Sequence, residues 1–329
     1  MQLETNRDQV MLNRRKLLKT ATGVSCAVAG IGTLGRADNK QAAETGPGAS
    51  KISVTPMQRE GMFGVELTHA DFPGNVIEFR CPECWFSGLL PNWPPPGYEI
   101  PPRTIPNIRH PYIVLGPGST LHFHWQERED GSWKGTVRVP DFWTCTTTVV
   151  PADDHVLIRS SLTNDTPIDW VEVWAHYCAN TDRAPDFRDL TARRTIIYLK
   201  DGPTTVAKTH HYEPEGWRTI CNTYVPIGRE MPIDKYLYGC PISQDKVASP
   251  LIVRHNEAGD AALAVCYRHY YGLFYDCHQK NNCIHSEPYI GDLESGQTHT
   301  LDGHIYWMKG TVADVAAKAR RMDNVWVPG

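Results

Sequence analysis

The sequence predicts an all-β protein, built as one large antiparallel β-sandwich with long loops and a short C-terminal helix. Short apolar or alternating segments recur along the chain, and turn signals such as Gly116-Pro-Gly118 separate them. The 329 residues include 26 glycines, 25 prolines and ten tryptophans, a composition that suits a loop-rich β protein. The sequence shows no internal repeat and no change in composition, so residues 51–329 are predicted to form a single domain.

The predicted strands follow one another at short intervals and cover residues 52–55, 64–68, 76–80, 112–115, 119–125, 135–139, 145–150, 155–162, 169–178, 195–200, 251–254, 261–271, 298–301 and 304–309. Residues 91–106 hold seven prolines and are predicted to form a long loop, because proline cannot join a central strand. The one predicted helix begins after Thr311, whose hydroxyl can form a capping box with Asp314, and alanines continue the helix to Ala319.

The N-terminus resembles a twin-arginine export signal. Asn13-Arg14-Arg15-Lys16-Leu17-Leu18-Lys19 is followed by a mildly apolar stretch and by a small-x-small cleavage pattern that ends at Ala37. Residues 1–37 are therefore predicted to be a signal peptide, and the polar, small residues 38–50 are predicted to be a linker. The mature protein is expected in the periplasm or outside the cell, and its sequence predicts no membrane span.

Charge argues against two classes of partner. Removal of residues 1–37 takes away six basic and two acidic residues, and leaves 27 basic and 35 acidic residues with a formal charge of −8. A protein of this charge is not expected to bind nucleic acid or an anionic membrane surface.

The ten cysteines permit disulfides in an exported protein. Cys81 and Cys84 form a CxxC motif, and Cys277 and Cys283 flank a short loop. A structural zinc site would need a second CxxC or a nearby histidine pair, and the sequence has neither, so disulfides or buried thiols are favoured.

The stretch 266–288, CYRHYYGLFYDCHQKNNCIHSEP, is predicted to carry the function. It holds three cysteines, three histidines and four tyrosines, and its first half alternates as a strand does. On one strand His269 and Tyr271 would lie roughly 7 Å apart on the same face, close enough to touch one sugar-sized ligand. The alternative interpretation is a buried aromatic strand followed by a disulfide-tied loop.

An acid–base set for glycan cleavage can be drawn from the histidines and tyrosines. A lyase that acts on uronic acids must neutralise a carboxylate, remove the adjacent proton and protonate the leaving oxygen. The proton carriers available are His176, His211, Tyr212, His269, Tyr271 and His285. Arg188 and Arg268 could neutralise charge, and Trp93 and Trp217 could stack on sugars. A hydrolase would instead need two carboxylates, for which Glu172, Asp186, Asp276 and Glu287 are candidates.

A second candidate site resembles the first cupin metal motif. His122 and His124 are two residues apart, so on a strand they share a face, and Glu129 follows at the spacing of the cupin glutamate. Two histidines and a carboxylate would suit a divalent ion of iron, manganese or zinc. The second cupin motif is reduced to a glycine and a histidine in Gly296-Gln-Thr-His299.

The closing segment is similar in layout to galactose-mutarotase-like sandwiches. The similarity rests on Ile284-His-Ser-Glu-Pro288, Gly291-Asp-Leu-Glu-Ser-Gly296 and Gly303-His-Ile-Tyr306, which are followed by a short helix. It implies a β-sandwich of a kind that recurs in polysaccharide lyases, glycoside hydrolases and sugar epimerases. It carries no diagnostic motif, and so assigns no active-site residue.

These observations favour an exported carbohydrate-active enzyme, in first place a polysaccharide lyase, with a poly- or oligosaccharide as substrate. Two alternatives stay open: a cupin-like metal-dependent enzyme, and a non-catalytic glycan-binding protein of the envelope. The chain has no GxSxG, Walker A or Rossmann glycine pattern, which argues against serine hydrolases, nucleotide triphosphatases and dinucleotide-dependent enzymes.

Overall fold

The predicted all-β sandwich is confirmed in a computed structural model, which describes residues 50–57, 63–88, 112–114, 122–210, 221–229, 241–279 and 281–328. The described strands form two antiparallel sheets that enclose a shared apolar core. The predicted signal peptide and nearly all of the predicted linker lie outside the described residues, as does the proline-rich stretch 91–106. No helix of the described residues is long and apolar enough to cross a membrane.

The first sheet has eight strands in the order β1-β2-β3-β9-β16-β15-β12, with β4 paired to β3. Their bounds are β1 Ile52–Pro56, β2 Gly64–His69, β3 Val76–Gly88, β4 Tyr112–Val114, β9 Trp170–Asn180, β12 Cys221–Tyr224, β15 Tyr270–His278 and β16 Asn281–Leu293.

The second sheet has nine strands in the order β11-β10-β13-β14-β17-β8-β7-β6-β5. Their bounds are β5 His122–Glu127, β6 Trp133–Val139, β7 Trp143–Pro151, β8 His155–Asn164, β10 Thr195–Leu199, β11 Gly202–Thr205, β13 Ile252–His255, β14 Ala261–Tyr267 and β17 Thr298–Lys309.

Alternation along the strands decides what each face of the sandwich carries. On β9 the odd-numbered residues from Val173 to Ala179 lie in the core between the sheets. On β16 Ile284 does the same. Because successive side chains on a strand point to opposite faces, the even-numbered residues of β9 from Trp174 to Cys178 and the odd-numbered neighbours of Ile284 lie on the outer face of the eight-stranded sheet.

The helix α1, Val312–Met322, covers part of the outer face of the nine-stranded sheet. Its start was predicted correctly: Thr311 and Asp314 form the capping box. The apolar side of the helix buries Val315 and Ala319 against residues of β13 and β14. Asp323, just after the helix, bonds to His304 and Tyr306 of β17 and so fixes the helix to the sheet.

One predicted strand is wrong. Residues 261–271 were expected to be continuous, but the structure divides them between β14 and β15, with Arg268 and His269 exposed between the two strands. The alternating aromatic pattern runs through the turn because each flanking strand buries aromatic residues of its own. His269 and Tyr271 therefore do not share a face of one strand.

Four further strands differ from the expectation. The predicted pair 298–301 and 304–309 is one strand, β17, while β11, β12 and β16 were not predicted. The CxxC motif lies inside β3, where a register shift between Arg80 and Cys84 gives room for Pro82. No disulfide joins cysteines whose side chains are described; all seven are buried, which agrees with the buried-thiol alternative.

Polar pairs line the exposed part of the nine-stranded sheet where β8 meets β17. Three consecutive outward-facing pairs join the strands at distances of 2.7–2.8 Å: Arg159–Asp302, Ser161–Thr300 and Thr163–Thr298. The alternate residues Ile158 and Leu162 point into the core. The two strands are thus aligned by their outer as well as their inner side chains.

A buried arginine connects the two sheets. Arg254 lies on β13, is fully buried, and points between the sheets, where it donates to the hydroxyls of Thr195 and Thr181, both at 2.9 Å. It also donates to the backbone carbonyls of Cys283 at 3.3 Å and Asp276 at 3.5 Å, on the other sheet. One guanidinium therefore holds the end of the β15–β16 hairpin against the opposite sheet.

Asp189 balances this buried charge. Its carboxylate accepts from the Thr195 hydroxyl at 2.9 Å and from the backbone N–H of Arg194 at 2.9 Å. Burial alone would raise the pKa of Asp189, but the charge of Arg254 and the donated hydrogen bonds outweigh it and lower that pKa. Asp189 is consequently charged at neutral pH.

We expect Arg254→Met to lower the free energy of unfolding by about 3–5 kcal/mol, because it leaves Asp189 charged and buried without its partner. The control is Arg159→Met, which removes an exposed pair and should cost at most about 1 kcal/mol. Urea unfolding of both variants measures the difference. Equal losses in the two variants would contradict the assigned role of Arg254.

Candidate functional site

The outer face of the eight-stranded sheet carries a buried group of chemically active side chains. β9 supplies Trp174, His176 and Cys178 to this face, and the neighbouring β16 supplies Cys283, His285 and Glu287. β15, on the other side of β16, adds Tyr271 and Phe274. Regular alternation brings the residues of β9 and β16 together, and a register shift between Tyr270 and Gly272 lets Tyr271 of β15 share the face of Phe274.

His176, His285 and Glu287 form the centre of this group, which we call the outer-face cluster. His176 Nδ1 and Glu287 Oε1 are 2.6 Å apart, and the ring of His285 stacks on that of His176 at 4.0 Å and 19°. His285 and Glu287 are at most 1% exposed, and His176 is 6% exposed. The three groups are therefore held in a nearly water-free environment.

Burial sets the charges in the outer-face cluster. It lowers the pKa of His176 and of His285, and the nearby charge of Arg80 lowers both further. Burial raises the pKa of Glu287. Each shift favours the neutral form, since an unpaired charge in the interior is costly. A neutral Glu287 carboxyl can donate its proton to His176 Nδ1, which makes the pair a proton-sharing unit.

A connection from the cluster towards the surface runs through Glu83. Glu83 on β3, whose side chain is 30% exposed, places Oε2 at 3.9 Å from His176 Nε2, and its Oε1 accepts from Arg80 at 2.7 Å. The two ring nitrogens of His176 thus face a buried carboxyl on one side and a partly exposed carboxylate on the other. An imidazole in this position can carry a proton between them.

Sulfur ligands lie on the other side of His285. His285 Nε2 is 2.9 Å from Cys283 Sγ, and Cys283 packs in one buried cluster with Cys178, Cys221 and Phe274. Two sets of three side chains have their ligand atoms within 4.8 Å of one another: Cys178, Cys283 and His285, and the outer-face cluster itself. These are the described residues that could hold a metal ion.

An aromatic platform adjoins the cluster along β9 and β15. The rings of Trp174 and Tyr271 stack at 4.4 Å and 7°, and Tyr289 lies 6.1 Å from Tyr271. The guanidinium of Arg229 lies over both tyrosines, 4.2 Å and 4.6 Å from their ring centres. Flat rings beside a cation are the groups that bind the apolar face and the carboxylate of an acidic sugar.

The structure joins three of the sequence-predicted catalytic residues: His176 and His285 lie in the cluster, and Tyr271 lies in the platform. His269 and Arg268 are exposed in the turn between β14 and β15. Arg188 is used at the end of the β15–β16 hairpin, where it donates to the carbonyl of Gln279. His211, Tyr212, Trp93 and Trp217 lie outside the described residues.

The predicted cupin-like set lies on the other sheet. His122 and His124 belong to the end strand β5, and Glu129 follows in a turn. His124 and Glu129 are both exposed. Within the described part of the chain, neither belongs to a cluster of three ligand side chains.

Sequence reasoning did not place Glu83, Tyr289 and Arg229 in a site, and it named Cys283 only as a disulfide candidate. The signal that could have found the β16 residues is the alternation Cys283-x-His285-x-Glu287, which places three ligand-type side chains on one face if the segment is a strand.

No protein-family model and no curated protein sequence matches this chain. Similar solved structures include an alpha-N-acetylgalactosaminidase from Bifidobacterium bifidum, with 10% identity over 83% of this chain and a TM-score of 0.46. This chain spans 37% of the length of that enzyme. The Slr1438 protein from Synechocystis sp. PCC 6803 is 9% identical, with 79% of this chain and 93% of that chain covered and a TM-score of 0.45.

A galactose mutarotase-like protein from Clostridium acetobutylicum is also similar, at 10% identity over 78% of this chain and 98% of that chain, with a TM-score of 0.41. It belongs to the group that the closing segment of the sequence resembles. Likenesses with identities of 9–10% and TM-scores of 0.41–0.46 concern the sandwich layout alone.

We expect Glu287→Leu to lower the free energy of unfolding by about 1–3 kcal/mol more than Glu287→Gln does. Leucine removes the hydrogen-bonding partner of His176 Nδ1, whereas the neutral amide keeps the size and hydrogen-bonding capacity of the protonated carboxyl. Urea unfolding of the two variants tests this expectation. A leucine variant as stable as the glutamine variant would show that the bond to His176 contributes nothing.

Proposed function

We propose that this protein is a carbohydrate-active enzyme that transfers protons at its sugar, and that it acts as a lyase on uronic-acid glycans. The observation that carries the proposal is the buried His176–Glu287 pair, 2.6 Å apart, with the carboxylate of Glu83 on the far side of the same imidazole. General acid–base catalysis requires such positioned proton carriers with shifted pKa values.

In the proposed reaction a base removes the proton next to the sugar carboxylate, and an acid protonates the leaving oxygen. His176 is suited to the base, because with Nδ1–H donating to Glu287 its Nε2 can take the sugar proton and pass it on to the carboxylate of Glu83, 3.9 Å away. Tyr289, half-buried on the adjacent platform, carries the phenol that we assign as the acid. Arg229, over Tyr271, would neutralise the sugar carboxylate and so make its neighbouring carbon more acidic.

The aromatic platform supports a sugar as the ligand. Tyr289, which is half-buried, offers flat apolar surface beside a hydroxyl group, a combination that matches the two chemically different faces of a sugar ring. Trp174 and Tyr271 are at most 1% exposed and stack on each other in the interior next to it. The cation of Arg229 at the same rings favours an anionic sugar over a neutral one. A glycan-binding protein without catalytic activity could use the same platform. The experiment below distinguishes this alternative from the lyase.

We also propose that the protein acts outside the cytoplasm, after twin-arginine export. The support is the sequence Asn13-Arg14-Arg15-Lys16-Leu17-Leu18-Lys19. Export is compatible with reduced cysteines, because burial raises the pKa of thiols such as Cys81 and Cys283 and keeps them from oxidants.

The test is incubation of the mature protein with uronic-acid polysaccharides and oligosaccharides while the absorbance of the newly formed double bond is followed. We expect activity in the wild type and a loss of about 10²–10⁴-fold in His176→Asn and Glu287→Gln, since each removes one proton carrier. The control is His255→Asn, which changes a half-buried histidine at the other sheet and should keep the wild-type rate.

Two results would contradict the lyase, and a third would contradict the assignment of its catalytic group. New reducing ends without a double bond would indicate a hydrolase, and binding without any product would indicate a glycan-binding protein. Equal activity in the wild type and in His176→Asn would show that the outer-face cluster is not the catalytic group.

A further inference from the structure

We propose that Cys178, Cys283 and His285 form a binding site for a thiophilic divalent cation, with zinc as the ion that fits best. The ligand atoms of these three residues lie within 4.8 Å of one another, and all three side chains are at most 2% exposed. Two thiolates and an imidazole are a ligand set that zinc uses with a fourth position left for water or substrate.

The strand register favours a metal over a disulfide at this place. Cys283 on β16 pairs with Asn180 on β9, so Cys178 is displaced from Cys283 by two residues along the neighbouring strand. Such diagonal neighbours have Cα atoms about 7–8 Å apart, whereas a disulfide requires about 4.4–6.8 Å. An ion bound at about 2.3 Å from each sulfur can bridge the longer separation.

The same register brings the histidine into position. His285 follows Cys283 by two residues, so both side chains leave β16 on the same face, and His285 Nε2 already lies 2.9 Å from Cys283 Sγ. Coordination at about 2.0–2.1 Å from nitrogen and 2.3 Å from sulfur would require these two atoms to move apart by about half an ångström. A side-chain rotation of that size leaves the strands in place.

Charge balance explains how the ion could be held without exposed ligands. Binding releases two protons, one from each thiol, and the two thiolates then cancel the charge of the cation. At so buried a position, only an assembly without net charge can form without a large desolvation cost. Arg80 contributes a positive charge close to both cysteines, which stabilises the thiolates, and Glu83 in turn pairs with Arg80 at 2.7 Å.

The competing set is His176, His285 and Glu287. In that set His176 Nδ1 and Glu287 Oε1 are only 2.6 Å apart and are joined by a hydrogen bond. Ligands about 2.0–2.2 Å from one tetrahedral ion stand farther apart, at roughly 3.3 Å, so an ion would have to break that bond. The sulfur set would lose the 2.9 Å hydrogen bond between His285 Nε2 and Cys283 Sγ in the same way, but it offers softer ligands, which suit zinc better than calcium or magnesium.

The experiment is elemental analysis of the full chain purified without a metal-binding tag from zinc-supplemented cells. We expect about one zinc per chain in the wild type, and at least about a tenfold lower content in Cys178→Ser and in Cys283→Ser. Cys145→Ser is the matched control, because Cys145 is equally buried but lies on β7 of the other sheet; it should keep the ion. Glu287→Gln should keep it as well.

Cobalt substitution provides a readout that does not depend on the variants being folded. Replacement of zinc by Co²⁺ in the wild type should give a thiolate-to-cobalt charge-transfer band and the intense visible bands of a tetrahedral site. The proposal is overturned by a wild type without stoichiometric metal, by zinc retained in both serine variants, or by a cobalt spectrum without thiolate bands. None of these measurements depends on glycan cleavage, so the proposed lyase activity and the proposed zinc site are tested independently.

Discussion

The guanidinium of Arg254 is the interaction on which the arrangement of the outer face depends. It reaches from β13 of one sheet to the carbonyl groups of Asp276 and Cys283 on the other, and Asp189 balances its charge. The carbonyl of Cys283 points into the core, while the side chain of the same residue points outward. Through the backbone of β16, the buried guanidinium of Arg254 therefore fixes the positions of the Cys283 and His285 side chains.

Burial on the outer face has a common effect on very different groups. Imidazoles lose their positive charge, while carboxyl and thiol groups keep their protons, as the shifts at His285, Glu287 and Cys283 indicate. The resting site is thus uncharged and compact. The side chains of the outer face can share a proton, or exchange two protons for a divalent cation, with little change in net charge. The proposed acid–base catalysis and the proposed zinc site are therefore compatible with the same strands.

The sequence was sufficient for what depends on local pattern. Alternation located most strands, the capping box at Thr311 located the helix, and alternation on β9 placed Trp174, His176 and Cys178 on one face. Contacts between distant strands could not be foreseen: His176 and Glu287 are 111 residues apart in the chain. Cys178 and Cys283 are likewise far apart in the chain, because β9 and β16 become neighbours only in the folded sheet. His269 was misplaced because alternation alone does not reveal the turn by which the chain passes from β14 of one sheet to β15 of the other.

The rows of polar pairs between β8 and β17 have a consequence for folding. A shift of one residue along either strand would turn Ser161 and Thr163 inward and push Ile158 and Leu162 into water, while every hydroxyl lost its partner. The inner and the outer contacts of the two strands therefore both disfavour this change of register. Ser161 and Thr300 are 139 residues apart in the chain, so these two sets of contacts, rather than a connecting turn, fix the alignment of the two strands.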